Sequence, residues 1–251
     1  MNIMRGGEPF PVAVRGKPRG LGITGAAQIM ADAVKGLRGL RKQSDCVTVF
    51  GSARSLPGSD FYEMARDLGS GLASEGFTVM SGGGPGVMEA VSIGAKEAGG
   101  QTIGCNIELT PKQAPNPYLD LLLTFRRFST RKTFLVHHAC ALVALPGGFG
   151  TLDELFEAAV LIQKERIATF PLVLLGNEFW TPLAGALRHS LLENGLVGIG
   201  DFDMFHVVST AREAVEIIRT AHSSEGSAIW HRQQERKRRS LTNPSWSRFA
   251  V

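Results

Sequence analysis

Short apolar runs recur along most of the chain and are the clearest pattern in it. Each run is five or six residues long and largely apolar at odd and even positions alike, which predicts strands buried on both faces. The predicted strands are CVTVF at 46–50, FTVMS at 77–81, TIGCNI at 102–107, LLLTF at 121–125, ALVAL at 141–145, PLVLL at 171–175 and one near 204–209.

Amphipathic stretches separate most of these strands, with apolar residues at steps of three and four positions, as in helices. A Pro-rich loop at 108–120 takes the place of a helix between the third and fourth strands. Strands alternating with helices in this way indicate an α/β fold, here a doubly wound, Rossmann-like parallel sheet with helices on both faces. The predicted helices span 26–41, 60–75, 87–98, 130–138, 152–163, 179–192 and 211–221.

The same pattern sets the predicted domain boundaries. Residues 1–44 are an N-terminal extension with one helix, and residues 1–22 within it are rich in Gly, Pro and Arg without periodicity, as in an extended arm. Residues 45–222 carry the alternation and form the predicted Rossmann-like domain. Residues 223–251 form a basic tail that we expect to be flexible.

Composition narrows the class of protein. The chain has 251 residues, of which 43% are hydrophobic and 20% charged, as in globular domains. No apolar run approaches the roughly 18 residues that a membrane helix needs, and we therefore predict a cytoplasmic protein without membrane contact. The net charge of +4 suits an anionic small ligand. Nucleic acid is a weaker prediction, because no aromatic residues interleave with the basic run of the tail.

The three cysteines, Cys46, Cys105 and Cys140, have no metal-ligand spacing and lie in or beside apolar runs. This placement predicts buried free thiols in a reducing compartment. No metal site is predicted from the cysteines or from His137 and His138.

Two glycine-rich loops follow predicted strands and precede predicted helices. The first is SGGGPGVMEA at 81–90, with Gly82, Gly83 and Gly84, and the second is PGGFGT at 146–151. Glycines before a helix leave backbone N–H groups and the positive helix end available to an anion. Neither loop is a GxGxxG or a Walker sequence. Each could equally be a tight strand-to-helix turn, and the residues alone leave that alternative open.

Thr151 and Glu154 also have two readings. Thr151 fits the N-cap of the next helix, and Glu154 three positions later would complete a capping box. Alternatively, Glu154 is a catalytic carboxylate at the rim of a phosphate cradle. Thr210 and Glu213 have the same spacing without a glycine loop, and we predict only a cap there.

The segment FRRFSTRKTF at 125–134 holds four basic residues in seven positions. Basic side chains at a helix start oppose the helix dipole, and a bound phosphate would compensate for them. Two glycine loops and a basic segment at one edge of a sheet together predict a site for a nucleoside monophosphate.

PGGFGTLDE at 146–154 is similar to the PGGxGTxxE signature of the LOG ("lonely guy") family of nucleotide phosphoribohydrolases, also described as possible lysine decarboxylases. VFGSAR at 49–54, GGGPGVMEA at 82–90 and the Arg131–Lys132 pair extend the resemblance over about residues 45–220. It implies hydrolysis of the N-glycosidic bond of AMP or cytokinin riboside 5′-monophosphate to free base and ribose 5-phosphate. It further implies no metal or redox cofactor, and a homodimer or larger homo-oligomer with active sites near the subunit interface.

The resemblance also implies roles for individual residues. Arg131 and Glu154 would be the catalytic pair, and Glu108, at the end of the third strand, would touch the base or ribose. We assign the attacking water and the ribose cation to Glu154 and substrate orientation to Arg131, because a carboxylate in the first turn of a helix favours its charged form. The residues implied to bind phosphate or substrate are Gly82, Gly83, Gly84, Lys132, Gly147, Gly148, Phe149, Gly150 and Thr151.

The chain departs from the short plant-type members at two points. It has Phe128-Ser129-Thr130 where they have Met-His-x before Arg-Lys, and GGGPGVME where they have GGGSVGLM. It resembles the longer bacterial branch, and this makes AMP at least as good a candidate substrate as a cytokinin nucleotide. The alternative function is a non-catalytic nucleotide carrier or sensor on the same fold. A decarboxylase is disfavoured, because no lysine has a convincing Schiff-base setting.

Overall fold

The computed structural model of the protein describes residues 22–108 and 114–223. Seven strands in this part of the chain form one sheet in the order β4-β3-β2-β1-β5-β6-β7, with every neighbouring pair parallel. This confirms the predicted doubly wound parallel sheet. The strands are β1 (Cys46–Phe50), β2 (Thr78–Ser81), β3 (Thr102–Ile107), β4 (Leu121–Phe125), β5 (Ala139–Ala144), β6 (Leu172–Leu175) and β7 (Phe205–Val208).

Helices cover both faces of the sheet, again as predicted. α1, α4, α5 and α6 pack on one face through a core that includes Leu40, Phe134 and Trp180. α2, α3 and α7 pack on the other through a core that includes Leu68 and Val91. The helices are α1 (Ile23–Leu40), α2 (Asp60–Ser74), α3 (Val87–Glu97), α4 (Phe128–His137), α5 (Phe149–Gln163), α6 (Asn177–Glu193) and α7 (Ala211–His222).

The chain reverses its direction of progress across the sheet between β1 and β5, which are neighbours although three strands separate them in sequence. In such folds ligands bind at the carboxyl ends of the strands beside this switch point. The two glycine loops and the segment that follows β1 all leave carboxyl ends of β1, β2 and β5. The predicted placement of these loops along one edge is therefore confirmed.

α1 belongs to the N-terminal extension, yet it is packed into the first face. Its small residues let it approach closely, because an added Cβ at Gly36 would lie 2.3 Å from the Phe134 ring. The buried Asp32 accepts a hydrogen bond from the Arg126 N–H at 2.9 Å, just before α4. The opposite face of α1, with Ile23, Met30 and Leu37, is exposed.

The start of α5 differs from the sequence-based expectation. α5 begins at Phe149, three residues before the predicted start. The predicted arm at 1–22, save Gly22, and the predicted tail, save Ser223, lie outside the described residues. Within the described part, no helix is both long and apolar enough to cross a membrane.

Candidate active site

Three loops meet at the switch point through hydrogen bonds to one residue, Ser52, which follows β1. Its N–H donates to the Pro146 carbonyl at 3.1 Å, and its own carbonyl accepts from the Val87 N–H at 3.0 Å. Gly86 has a φ of +70° and leaves no room for a side chain, because an added Cβ would lie 2.4 Å from the Ser52 carbonyl oxygen. The glycine loops after β2 and β5 are thus held against the loop after β1.

A buried ion pair lies beside these loops. Arg131 donates from Nη1 to Oε1 of Glu154 at 2.8 Å, and the two side chains are only 10% and 12% exposed. Arg131 also donates from Nε to the Cys105 carbonyl at 2.7 Å, at the carboxyl end of β3. The structure therefore brings together the two residues that the resemblance implies are catalytic, and it fixes the guanidinium at two of its donors.

The surroundings of Gly82 explain why the first glycine loop needs glycine at this position. An added Cβ there would lie 2.2 Å from Nη2 of Arg131 and 2.7 Å from Sδ of Met88. The third nitrogen of the guanidinium thus rests against the Gly82 backbone. Close approach of the loop to Arg131, rather than unusual backbone geometry, accounts for this glycine.

The capping-box interpretation of Thr151 and Glu154 is wrong. α5 starts after Gly148, and no side chain caps it; Thr151 is its third residue and Glu154 its sixth. The Thr151 hydroxyl lies over Gly147 instead, where an added Cβ would come within 2.1 Å of Oγ1. The expected cap at Thr210 does form, with Glu213 completing the box.

The protonation argument for Glu154 needs the same correction. Glu154 lies beyond the first turn of α5, where the helix dipole has little effect. Burial raises the pKa of the Glu154 carboxyl above its usual range, and attraction to Arg131 opposes that rise without cancelling it. A carboxyl with a raised pKa is a better proton acceptor from water than an ordinary glutamate.

The start of α5 forms an open cradle. Its first i to i−4 hydrogen bond runs from Leu152 to Gly148, so the N–H groups before Leu152 have no partner inside the helix. An added Cβ at Gly148 or Gly150 would meet nothing within 4 Å, and Phe149 is 92% exposed. This end of α5 is accessible to an anion in the single chain.

The remaining sequence-predicted residues lie further out. Lys132 binds Glu157 at 2.7 Å and Asp153 at 3.0 Å. Burial lowers the pKa of Lys132, but hydrogen bonds to these two carboxylates outweigh it and leave the pKa raised. Glu108 is exposed at the end of β3, 3.8 Å from Arg126 rather than beside Arg131.

Two of the three cysteines, Cys46 and Cys105, are buried as predicted, whereas Cys140 is only partly buried. Burial raises the pKa of Cys46 to about 11 and that of Cys105 and Cys140 to about 12, so all three stay protonated. They are free thiols. In the described ranges no three His, Cys, Asp or Glu side chains are grouped so that they could hold a metal ion.

Sequence reasoning missed Ser52 and Asn116. Asn116 sits in the Pro-rich loop, where it is buried and donates to the carbonyls of Gly83 and Gly84. The only signal for Ser52 was its place after a strand within VFGSAR. Asn116 carried no local signal, because its partners lie 32 and 33 positions earlier in the chain.

Comparison with known proteins identifies the family of the chain. The family model described as "Possible lysine decarboxylase" matches residues 88–218, just over half of the chain. A Mycobacterium tuberculosis protein named cytokinin riboside 5′-monophosphate phosphoribohydrolase is 34% identical over 167 residues, 65% of this chain and 88% of its own length. The chain belongs to the LOG family.

Solved structures with the same fold include proteins of a different kind. The molybdenum cofactor binding protein from Rippkaea orientalis is 25% identical, with a TM-score of 0.55 over 72% of this chain and 99% of its own. The molybdenum cofactor carrier protein from Chlamydomonas reinhardtii is 28% identical, with a TM-score of 0.53 over 70% of this chain and 97% of its own. LOG-family chains thus share their fold with proteins named as cofactor carriers.

The word decarboxylase in the family description finds no support at Lys132. A lysine that forms a Schiff base must give up its proton easily, and its pKa is lowered for that purpose. The pKa of Lys132 is raised instead, and two carboxylates hold its ammonium group. We therefore base the function on Arg131 and Glu154.

Proposed function

We propose that this protein hydrolyses the N-glycosidic bond of nucleoside 5′-monophosphates, releasing the free base and ribose 5-phosphate. The observation that carries the proposal is the buried pair of Arg131 and Glu154 beside Gly82. The names of LOG-family relatives as phosphoribohydrolases support the same reaction. We propose AMP as the first substrate to test, beside a cytokinin riboside 5′-monophosphate.

The proposed reaction passes through a ribose cation. The bond between C1′ and the base nitrogen breaks, the base takes the bonding electrons and a proton from the solvent, and the oxygen of a water molecule bonds to C1′. Glu154 orients that water, accepts its proton and stabilises the positive charge on the ribose. The raised pKa of Glu154 favours the proton transfer.

Arg131 holds the carboxylate of Glu154 in place. Its Nη1 and Nε are engaged by Glu154 and the Cys105 carbonyl, which leaves Nη2 to face the first glycine loop. We propose that the substrate approaches from this loop and that its phosphate binds at the open start of α5. A phosphate there gains from the unpaired N–H groups and from the positive helix end.

The direct test is to incubate the purified protein with AMP, and separately with isopentenyladenosine monophosphate, and to measure the released base by chromatography. Glu154→Gln should lower kcat by about 10²–10⁴-fold, the usual contribution of a general base. Glu213→Gln is the matched control, because it makes the same change in the cap of α7 and glutamine still completes that box.

Failure of both substrates to yield free base would contradict the hydrolase proposal. Full activity of Glu154→Gln would contradict the role of that carboxylate. A thermal melt of each variant separates loss of catalysis from loss of folding.

A second candidate function is a non-catalytic carrier of a nucleotide or a nucleotide-like cofactor. It is favoured by the two solved structures named as a molybdenum cofactor binding protein and a carrier protein. A carrier should bind its ligand without releasing base. Glu154→Gln should then change the affinity for the ligand, and neither the wild type nor the variant should release base. Calorimetry with AMP, alongside the base-release assay, distinguishes the two functions.

We further propose that the protein works as a homo-oligomer. Four large apolar side chains on α4 and α5 are exposed in the single chain, and apolar exposure of this kind marks contact surfaces. They are Phe128, Phe149, Phe156 and Val160. Light scattering of the purified protein tests this, and a monomer at micromolar concentration would contradict it.

A further inference from the structure

Asn116 lies outside every segment that the LOG resemblance covers by motif, yet it is among the most tightly bound side chains near the site. It is 6% exposed. Its backbone N–H donates to the Gly83 carbonyl at 3.0 Å, and its side-chain Nδ2 donates to the Gly84 carbonyl at 3.1 Å. Its Oδ1 accepts from the Tyr118 N–H at 3.1 Å, so both ends of the amide are used.

These bonds fix the orientation of two consecutive peptide groups in the first glycine loop. In a trans peptide the carbonyl and the following N–H point in opposite directions. Because the Gly83 carbonyl points to Asn116, the Gly84 N–H points away from it. Pro85 supplies no N–H to the next peptide, so the Gly84 N–H is the donor that this arrangement directs.

The other side of the loop is held as well. The Gly83 N–H donates to the Ser81 hydroxyl at 3.1 Å, and Gly83 adopts a φ of +67° that a larger residue would rarely accept. An added Cβ at Gly83 would lie 3.1 Å from the Gly104 Cα, on the neighbouring strand. With Gly83 held by Ser81 and β3, and its carbonyl by Asn116, the loop has one orientation.

The carbonyl groups matter because they would repel a phosphate or a ribose oxygen. Asn116 donates hydrogen bonds to both carbonyls, and this turns their negative ends into the protein. The bond to Gly83 comes from the Asn116 backbone N–H, whereas the side chain supplies the donor to Gly84 and the acceptor for Tyr118 on the two separate atoms of its amide. An aspartate at this position would keep the acceptor, lose the donor and face the Gly84 carbonyl with a negative charge.

We propose that Asn116 is a positioning residue that holds the first glycine loop with its carbonyls turned away from the bound nucleotide and the Gly84 N–H turned towards it. This rests on the proposed function, because the loop is the one we expect the nucleotide to contact. Asn116 itself touches no substrate. Its effect should therefore appear in substrate binding more than in the chemical step.

The test replaces one atom group. Asn116→Asp should raise KM for AMP by about 10–100-fold, the effect of losing one or two hydrogen bonds to a charged ligand. The value of kcat should change by less than about 3-fold, because the chemical step does not involve Asn116. Asn194→Asp is the matched control: Asn194 donates from Nδ2 to the Ser190 carbonyl at 2.7 Å at the exposed end of α6. The control should leave KM unchanged.

A second readout does not need turnover. Calorimetry with AMP should show the same loss of affinity in Asn116→Asp. If the wild type is inactive, the hydrolase proposal is contradicted, but the calorimetric comparison still tests the role of Asn116 in the loop. If the aspartate variant does not fold, Asn116→Ser keeps one donor without the charge and should show a smaller rise in Kd. Unchanged Kd and KM in a folded variant, or a fall in kcat alone, would overturn the proposal.

Discussion

Replacing Gly82 by alanine adds one methyl group beside the Arg131 guanidinium, and we expect this to cost both stability and activity. The new Cβ would lie 2.2 Å from Nη2 of Arg131, where ordinary contacts begin at about 3.4 Å. The guanidinium must therefore move by roughly 1 Å or the loop must retreat by as much. Met88, whose Sδ would be 2.7 Å away, can move aside because its side chain is flexible.

Arg131 has no such freedom. Its bonds to Glu154 and to the Cys105 carbonyl are 2.8 and 2.7 Å long, and a shift of about 1 Å takes both beyond hydrogen-bonding distance. Breaking a buried ion pair costs about 3–5 kcal/mol, and a misplacement of about 1 Å at a catalytic group costs about 10²-fold in rate. We expect Gly82→Ala to lose both stability and activity on that scale.

Urea unfolding measures the first loss, and base release from AMP measures the second. Gly185→Ala is the control, because an added Cβ there, on the exposed side of α6, meets nothing within 4 Å. A glycine-to-alanine change inside a helix should stabilise by about 0.5–1 kcal/mol. If Gly82→Ala unfolds at the wild-type urea concentration and keeps full activity, the close contact between the loop and Arg131 does not exist in solution.

Two further predictions follow from pH and from packing. Because the pKa of Glu154 is raised, kcat/KM should fall on acidification at a pH above the value of about 4.3 for an ordinary glutamate, and the fall should be absent from the residual activity of Glu154→Gln. The same shift means that the contribution of Glu154 to folding stability is fully present below its unfolded-state pKa and is lost as pH rises through its folded-state pKa. Gly36→Ala should destabilise the protein by about 1–3 kcal/mol in urea unfolding, since its Cβ would overlap the Phe134 ring; a neutral result would show that α1 is not docked as described.

The order of strands and helices was predictable because it depends on local periodicity. Strands such as Cys46–Phe50 are buried on both faces, and their sequence shows this directly. Periodicity predicts the buried faces of helices less well. Apolar residues at steps of three and four along α2 put Phe61 on one face with Ala65, Leu68 and Leu72, yet Phe61 is 37% exposed and Tyr62 is buried. Two aromatic neighbours fit one face almost equally, and only packing against the rest of the protein decides between them.

The site was only partly predictable, because it depends on contacts between residues far apart in the sequence. The glycines and Arg131 stood out by composition and resemblance, but the role of Glu154 depends on a contact with a residue 23 positions earlier. Local spacing therefore suggested a capping box with Thr151 that does not form. The start of α5 was misplaced because the helix begins directly after Gly148 without a side-chain cap, which a sequence rule for threonine caps does not anticipate.

The docking of α1 links a part of the chain outside residues 88–218 to the geometry of the site. Asp32 holds the Arg126 N–H, five positions before Arg131, and Gly36 receives the Phe134 ring from the same helix as Arg131. Linkage of this kind is reciprocal. Whatever strengthens the docking of α1 also steadies α4. Under the proposed function, binding of a nucleotide that requires α4 in place would therefore make α1 correspondingly harder to detach.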